Sequence, residues 1–224
     1  MKKSYHVEFD LDFERNPYPG KFIVLEGIEA SGKTTQAKLL SEKFPDAYHT
    51  KNPTDGEIGK FIRERVLGGH SDIPPVAYQY LFAADREIQS QDIIKNLKAG
   101  KTVISDRYFW SSVAYGIADR EGLDYNNWEN ISLVALSLLS MYHQFMIPDL
   151  SIYLDVTLEE SLRRLKGSKK HTEIYDNHET NVKVKKGYEW LMEKFPEEIT
   201  VVDGNKQKDQ VAKEILILIE AIRK

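Results

Sequence analysis

Residues 27–34 read Gly27-Ile28-Glu29-Ala30-Ser31-Gly32-Lys33-Thr34, the pattern G-x-x-x-x-G-K-[ST], and no other stretch of the 224-residue chain restricts its fold as tightly. The pattern functions where a strand delivers the chain to a glycine-rich turn and a helix starts at the end of that turn. Converging backbone N–H groups and the positive end of the helix then cradle phosphate oxygens. Both flanks satisfy this demand. Phe22–Glu26 is a short apolar run, and between Thr34 and Phe44 the residues Ala37, Leu40 and Phe44 fall on one helical face.

The residue types set the chemistry. Glycines allow close approach of the backbone to phosphate, Lys33 neutralises the β- and γ-phosphates, and the Thr34 hydroxyl is suited to Mg2+. ATP is therefore expected against Gly27, Ile28, Glu29, Ala30, Ser31, Gly32, Lys33, Thr34 and Thr35. An acid inside a phosphate loop is repelled by phosphate, so Glu29 either faces solvent or has another task. The loop alone leaves switches, motors and kinases open. A guanine-reading N-K-x-D is not completed by Asn205-Lys206-Gln207-Lys208, which argues against a GTPase switch.

The strand-then-acid pattern recurs at Val103-Ile104 before Asp106, at Leu150–Val156 and at Ile199–Val202 before Asp203. Helical periodicity fills Val76–Leu97, Trp128–Met146 and Asp209–Ile222. Alternation of this kind predicts an α/β chain with a parallel sheet covered on both faces. Residues 1–20 form an appendage. There Tyr5, Val7, Phe9, Leu11 and Phe13 alternate with polar residues as in an added edge strand, and Asn16-Pro17-Tyr18-Pro19-Gly20 reads as a rigid connector. Residues 21–224 form the main domain. Within it Lys166–Thr172 is basic and polar around Gly167-Ser168, too hydrophilic for a core, and predicts a lid spanning about residues 166–180.

Composition narrows the partners. With 31 Lys and Arg interspersed among 35 Asp and Glu, and a net charge of −4, no basic stripe is available for polymeric nucleic acid or an anionic membrane. The absence of Cys excludes disulfides, thiolate metal sites and cysteine nucleophiles, and fits a reducing compartment. No window has transmembrane length, and Met1–Phe13 lacks a signal-type apolar core, so a cytoplasmic location is expected. His6, His49, His70, His143, His171 and His178 are scattered without zinc spacing.

Asp106 and Arg107 close a strand, and in open parallel sheets ligands sit at the carboxyl ends of strands. Read alone, they either face a metal and a phosphate, respectively, or pair with each other. The longer run Asp106-Arg107-Tyr108-Phe109-Trp110-Ser111-Ser112-Val113-Ala114-Tyr115 resembles the D-R-Y-x-x-S-x-x-A-Y signature of thymidylate kinases. Leu81-Phe82-Ala83-Ala84-Asp85-Arg86 is similar to that family's L-F-x-A-D-R, and Pro148–Val156 to its P-D-L-t-i-Y-L-D-V. The likeness extends over roughly residues 21–224.

The resemblance implies a three-layer α/β/α P-loop kinase with five parallel strands in the order 2-3-1-4-5, acting on dTMP with ATP and Mg2+. It assigns Phe82 to stack on the base and Arg86 to hydrogen-bond it. Arg107 would hold the monophosphate, Tyr115 would lie under the sugar, and Glu29 would take the 3′-hydroxyl side. Pro53, Ser111 and Ser112 line the same pocket, and Thr34 and Asp106 lie on the metal side. Phe82 and Arg86 are four apart on a predicted helix and can face one pocket on that ground alone, although Phe82 read by itself is equally a core residue.

The chain departs from the family at several places. Ala30 supplies no P-loop cation, so the transition-state charge passes to the lid, where Lys166, Lys169, Lys170 and His171 stand where relatives place arginines; Arg164, on the preceding helix, is the chosen candidate beside Lys33 and Arg107. Lys51 replaces an arginine two places before Pro53, and Asn177 replaces the arginine of a D-R-x-E motif. Relatives are homodimers, and the apolar stretch Ile131–Met146 is either an interface or core. A deoxynucleoside kinase, another nucleoside monophosphate kinase and a catalytically impaired nucleotide-binding regulator remain open from sequence.

Overall fold

The computed structural model describes residues 10–70, 72–167 and 173–223. Five strands, β1 (Phe22–Glu26), β2 (Tyr48–Lys51), β3 (Val103–Asp106), β4 (Leu150–Asp155) and β5 (Ile199–Asp203), form one parallel sheet in the order β2-β3-β1-β4-β5. The helices are α1 (Lys33–Lys43), α2 (Glu57–Phe61, continued by a π-helical turn, Ile62–Leu67), α3 (Pro75–Lys98), α4 (Phe109–Ala118), α5 (Trp128–Tyr142), α6 (Leu158–Lys166), α7 (His178–Lys194) and α8 (Lys208–Ile222).

Alternation of side chains along each strand builds two cores. Phe22, Val24, Val103 and Tyr153 join the larger one, under residues of α3, α4, α5 and α7. Ile23, Leu25, Ile104, Ile152 and Leu154 join the smaller one with Leu40 of α1 and Val211, Ile215 and Ile219 of α8. Strands covered on both faces need no polar alternation, which is why the central ones read as short apolar runs. β2 is different: Tyr-His-Thr-Lys at a sheet edge is only partly buried, and it emerges from sequence through the family resemblance alone.

Register brings the strand ends together. Lys51 pairs with Asp106, and Asp106 with Leu25, so the chain leaves β2, β3 and β1 at one level. α4 and α7 cross so closely that a Cβ on Gly187 would lie 2.8 Å from both Cα and the carbonyl oxygen of Ala114.

The expected added edge strand falls mostly on residues that the structure does not describe. Tyr5, Val7 and Phe9 lie outside the described residues. Residues 10–20 join no sheet strand; their one ladder contact is an isolated bridge from Arg15 to Ile147. Phe13 instead turns inward and stacks on Phe109 with ring centroids 5.9 Å apart, meeting Phe195 edge-on at 6.4 Å. Asn16 then donates to Gly20 O and to Asp149 Oδ2, which also accepts from Phe22 N. Burial of an aromatic ring outweighs strand pairing here, and Pro17 and Pro19 carry no N–H to donate to a ladder.

Of the expected lid, Lys169, Lys170 and His171 lie outside the described residues. Residues 178–180 form the first turn of α7, with Asn177 as N-cap accepting from Thr180 N at 2.9 Å. Ile131, Val134, Ala135, Leu138, Leu139 and Tyr142 of α5 are buried, while Leu133 and Leu136 of the same helix are exposed.

Candidate active site

One cavity of about 1590 Å3 opens along the carboxyl edge of the sheet. Single-ligand pockets run to roughly 1,000 Å3, so this one has room for two nucleotides. The P-loop, the ends of β2 and β3, and α3, α4 and α6 all contribute to its wall.

On the donor side, Gly27 has φ 148°, and a Cβ there would lie 2.5 Å from Ser31 Oγ. Only glycine fits. Gly32 (φ 104°) then starts α1, whose first N–H groups have no intrahelical acceptor and line the cavity from Lys33 to Thr35. Lys33 is 5 % exposed, and its ammonium donates to Gly27 O (3.0 Å), Ile28 O (2.7 Å) and Ser31 Oγ (3.2 Å). Burial, then the nearby Arg107 guanidinium, lowers its pKa to about 8, against the opposing pull of Glu29, Asp106 and Glu26. Thr34 Oγ1 donates to Asp106 Oδ2 at 3.0 Å. Two hard oxygens thus meet beside the phosphate loop, a donor set that suits Mg2+ completed by phosphate and water.

Arg164, the expected transition-state cation, lies on α6 and lines the cavity. Its guanidinium donates to Ser31 O (3.2 Å), Ala30 O (3.4 Å), Gly204 O (2.8 Å) and Glu160 (2.6 Å). It fastens the P-loop to the loop after β5. Arg163, on the preceding position of α6, has a side chain 72 % exposed and paired with Glu160, which hydrogen bonds from Arg163 and Arg164 hold down at a pKa of about 2.

The other half of the cavity is built around Arg107, a non-glycine residue at φ 73°. Backbone strain of this kind persists where the surroundings hold it. Here Arg107 N bonds Leu25 O at 2.9 Å, and the guanidinium donates to Gly27 O (3.0 Å), Ser111 Oγ (3.1 Å), Tyr115 OH (3.0 Å) and Glu29. Burial works against its charge, but Glu29 beside it holds its pKa well above the usual value. Tyr115 also donates to Glu29, so the P-loop acid is held by Arg107 and Tyr115.

Arg86 is 1 % exposed, donates to Ser112 Oγ (3.0 Å) and Tyr108 O (3.1 Å), and lies between the rings of Tyr108 and Tyr142. It lines the cavity with Phe82, Ser111, Ser112, Tyr115 and Pro53. All the residues named from sequence for donor and acceptor are thereby brought to one cavity wall, apart from Gly27 and Ile28, which lie behind it.

The sequence profile described as thymidylate kinase matches residues 25–215. A probable thymidylate kinase of Pyrococcus horikoshii is 43 % identical over 211 residues, covering 90 % of this chain and 96 % of that protein. One from Methanococcus aeolicus is 39 % identical over 202 residues, covering 88 % and 94 %. The chain belongs to the thymidylate kinase family. The solved thymidylate kinase of Candida albicans superimposes with a TM-score of 0.78 at 31 % identity, over 92 % of this chain and 94 % of that one.

Against the thymidylate kinase motifs, several residues of this site carry no motif signal. Glu26 is fully buried and accepts from Tyr108 N (2.9 Å), Ser111 Oγ and Tyr188 OH (2.8 Å); burial pushes its pKa up, only partly offset by those bonds. The signal was an acid ending an apolar strand just before glycine. Asn181 accepts from Glu29 N (3.3 Å) and donates to Ser161 Oγ (3.0 Å), which donates to Glu29 O (2.8 Å). Gln89, also without a motif signal, donates to Thr50 Oγ1 and Lys51 O, and Asp85, the acid of the L-F-x-A-D-R likeness, accepts from Thr54 N (2.8 Å) and Thr54 Oγ1, so α3 fixes the chain leaving β2. Arg63 bonds Pro53 O (2.6 Å) and Asp55 (3.0 Å) at the same rim, where Lys51 also pairs with Asp55 (3.1 Å).

Proposed function

We infer that this protein transfers the γ-phosphoryl group of ATP to the phosphate of dTMP, giving dTDP and ADP. The observation that carries the reading is the single cavity in which a P-loop lysine and a strand-end arginine stand on either side of Gly27, with Phe82 and Arg86 beyond the arginine. A face that stacks and a cation that donates suit a flat base bearing acceptor oxygens. The forked guanidinium of Arg107 suits a terminal phosphate, which favours a monophosphate acceptor over a nucleoside.

The acceptor phosphate is already an anion, so no general base is required. An oxygen of dTMP attacks the γ-phosphorus in line as the bond to the β–γ bridging oxygen of ATP breaks, and ADP leaves with that oxygen. In this proposal Lys33 neutralises the β/γ charge and Arg107 holds the acceptor in line. Arg164 keeps the donor loop in shape. Thr34 and Asp106 would hold Mg2+, which would offset phosphate charge when bound. Glu29 and Tyr115 together shape the sugar end of the pocket.

A homodimer belongs to the same proposal. It is supported by apolar side chains exposed on two helices, Val76 and Tyr80 of α3 and Leu133 and Leu136 of α5. A cytoplasmic location belongs to the same proposal, supported by the absence of Cys, which fits a reducing compartment. A coupled assay of ADP release across nucleosides and monophosphates tests the substrate assignment: dTMP is expected to give the highest kcat/KM, and preference for thymidine would overturn it.

A further inference from the structure

Asp119 follows α4, the helix that carries Ser111, Ser112 and Tyr115 into the acceptor half of the cavity. Its Oδ2 accepts from the Tyr175 hydroxyl at 2.9 Å and from Gln79 Nε2 at 3.4 Å. Tyr175 lies between α6 and α7, is 6 % exposed, lines the cavity, and meets the Tyr115 ring edge-on at 4.9 Å. The residue before it, Ile174, donates its N–H to Leu67 O at 2.9 Å. Residues 174–175 are thus pinned on one side to the end of the π-helical turn and on the other to α4. Gln79 is itself fixed, because Tyr142 OH donates to its carbonyl groups.

A part-buried carboxylate is costly unless its charge has a task. Capping of α4 does not require it, since the Asp119 backbone N–H already bonds Tyr115 O at 2.8 Å. We propose that Asp119 is a positioning residue that holds Tyr175 against Tyr115 and so closes the nucleoside end of the acceptor pocket. Asp119 touches no substrate and acts through the tyrosine. The inference rests on the reading of the Arg107–Tyr115 side as the acceptor site.

The bond from Tyr175 is charge-assisted only while Asp119 is ionised. Burial, opposed by the bonds from Tyr175 and Gln79, raises the Asp119 carboxyl to about 6. The titratable groups that feel its charge are Tyr78, Tyr125 and Tyr175, all with raised pKa values; Lys183 lies over the Tyr125 ring and Glu179 acts on the same tyrosine. With their pKa values raised, the tyrosines stay neutral around neutrality, and it is the Asp119 carboxyl whose charge changes between about pH 5 and about 7.

Steady-state kinetics of wild type, Asp119→Asn, Asp119→Ala, Tyr175→Phe and the Asp119→Ala/Tyr175→Phe double variant test this. Asp119→Ala and Tyr175→Phe are each expected to raise KM for dTMP about tenfold, leaving kcat and KM for ATP within about twofold. The double variant is expected to be no worse than the weaker-binding single variant, as for two partners of one bond. The ratio of KM in Asp119→Asn to KM in wild type should grow as pH rises through about 6; titration of the dTMP phosphate is common to both and cancels. Unchanged KM in both Asp119→Ala and Tyr175→Phe, additive effects in the double variant, or a pH-independent ratio overturns the role of Asp119. If Asp119→Ala does not fold, the near-isosteric Asp119→Asn and Tyr175→Phe decide the matter through KM and its pH dependence. A wild type that turns over no dTMP overturns the functional reading and this role with it; a wild type that does, with variants indistinguishable from it, overturns this role alone.

Discussion

The ammonium of Lys33 is held by its own loop, and its pKa of about 8 follows first from burial and then from Arg107. Phosphate needs that ammonium charged, so above its pKa a proton must be taken up as ATP binds. Affinity for ATP should therefore fall as pH rises through about 8, by up to tenfold per unit. Calorimetric titrations in two buffers of different ionisation enthalpy would read the proton uptake directly. Lys33→Ala should lower kcat by at least about a hundredfold while dTMP binding changes little, as measured by turnover and by equilibrium titration. Glu26 gives a second residue-scale test. Its amide analogue would turn an NH2 toward groups that donate, so Glu26→Gln should cost about 1–3 kcal/mol in urea unfolding. At this scale the motif residues were legible because their chemistry dictates their type. Glu26, Asn181 and Tyr175 were not, because each acts on a motif residue that lies far away in sequence.

Helices and strands carry these side chains at fixed separations. α4 sets Ser111, Ser112 and Tyr115 beside Arg107, and its position depends on α7, which approaches so closely at Gly187 that any side chain there meets the Ala114 backbone. Gly187→Val should destabilise the fold by about 1–3 kcal/mol through overpacking and weaken dTMP binding as α4 shifts; thermal unfolding and KM together check both parts. Phe13 supports the same helix from below, through Phe109. The central strands were readable as apolar runs between turn residues. The polar edge strand β2 and the inward turn of Phe13 were not, since partial burial at an edge leaves little pattern and since the aromatic cluster that receives Phe13 is assembled from residues 109, 110, 190 and 195.

For the whole molecule, pH and association give the remaining tests. The Asp119 carboxyl sits above its ordinary value of 3.8, at about 6. The native state then binds the proton more readily than the unfolded chain, so the stabilisation linked to this group is complete below about pH 4 and is lost as pH rises through about 6, with a total near ~2 kcal/mol after solvent screening. Asp119→Asn should flatten that part of the stability curve measured by denaturant unfolding across pH. In the proposed dimer, Tyr80→Glu places a charge among exposed apolar side chains, and light scattering should report a monomer at concentrations where wild type is dimeric.

By itself the sequence determined the class of fold and the phosphate loop, because each is a local requirement, a strand, a glycine turn and a helix, while the groups for a second phosphate and a base followed from the family resemblance. Glu29 and Arg164 mark where local reasoning ends. Only the tertiary structure decided that Glu29 pairs with Arg107 and Tyr115 and that Arg164 spends its donors on the carbonyl oxygens of the P-loop and Gly204. A side chain's partner is fixed by which surfaces the packed sheet and helices bring within about 3 Å, a distance that spacing along the chain does not encode.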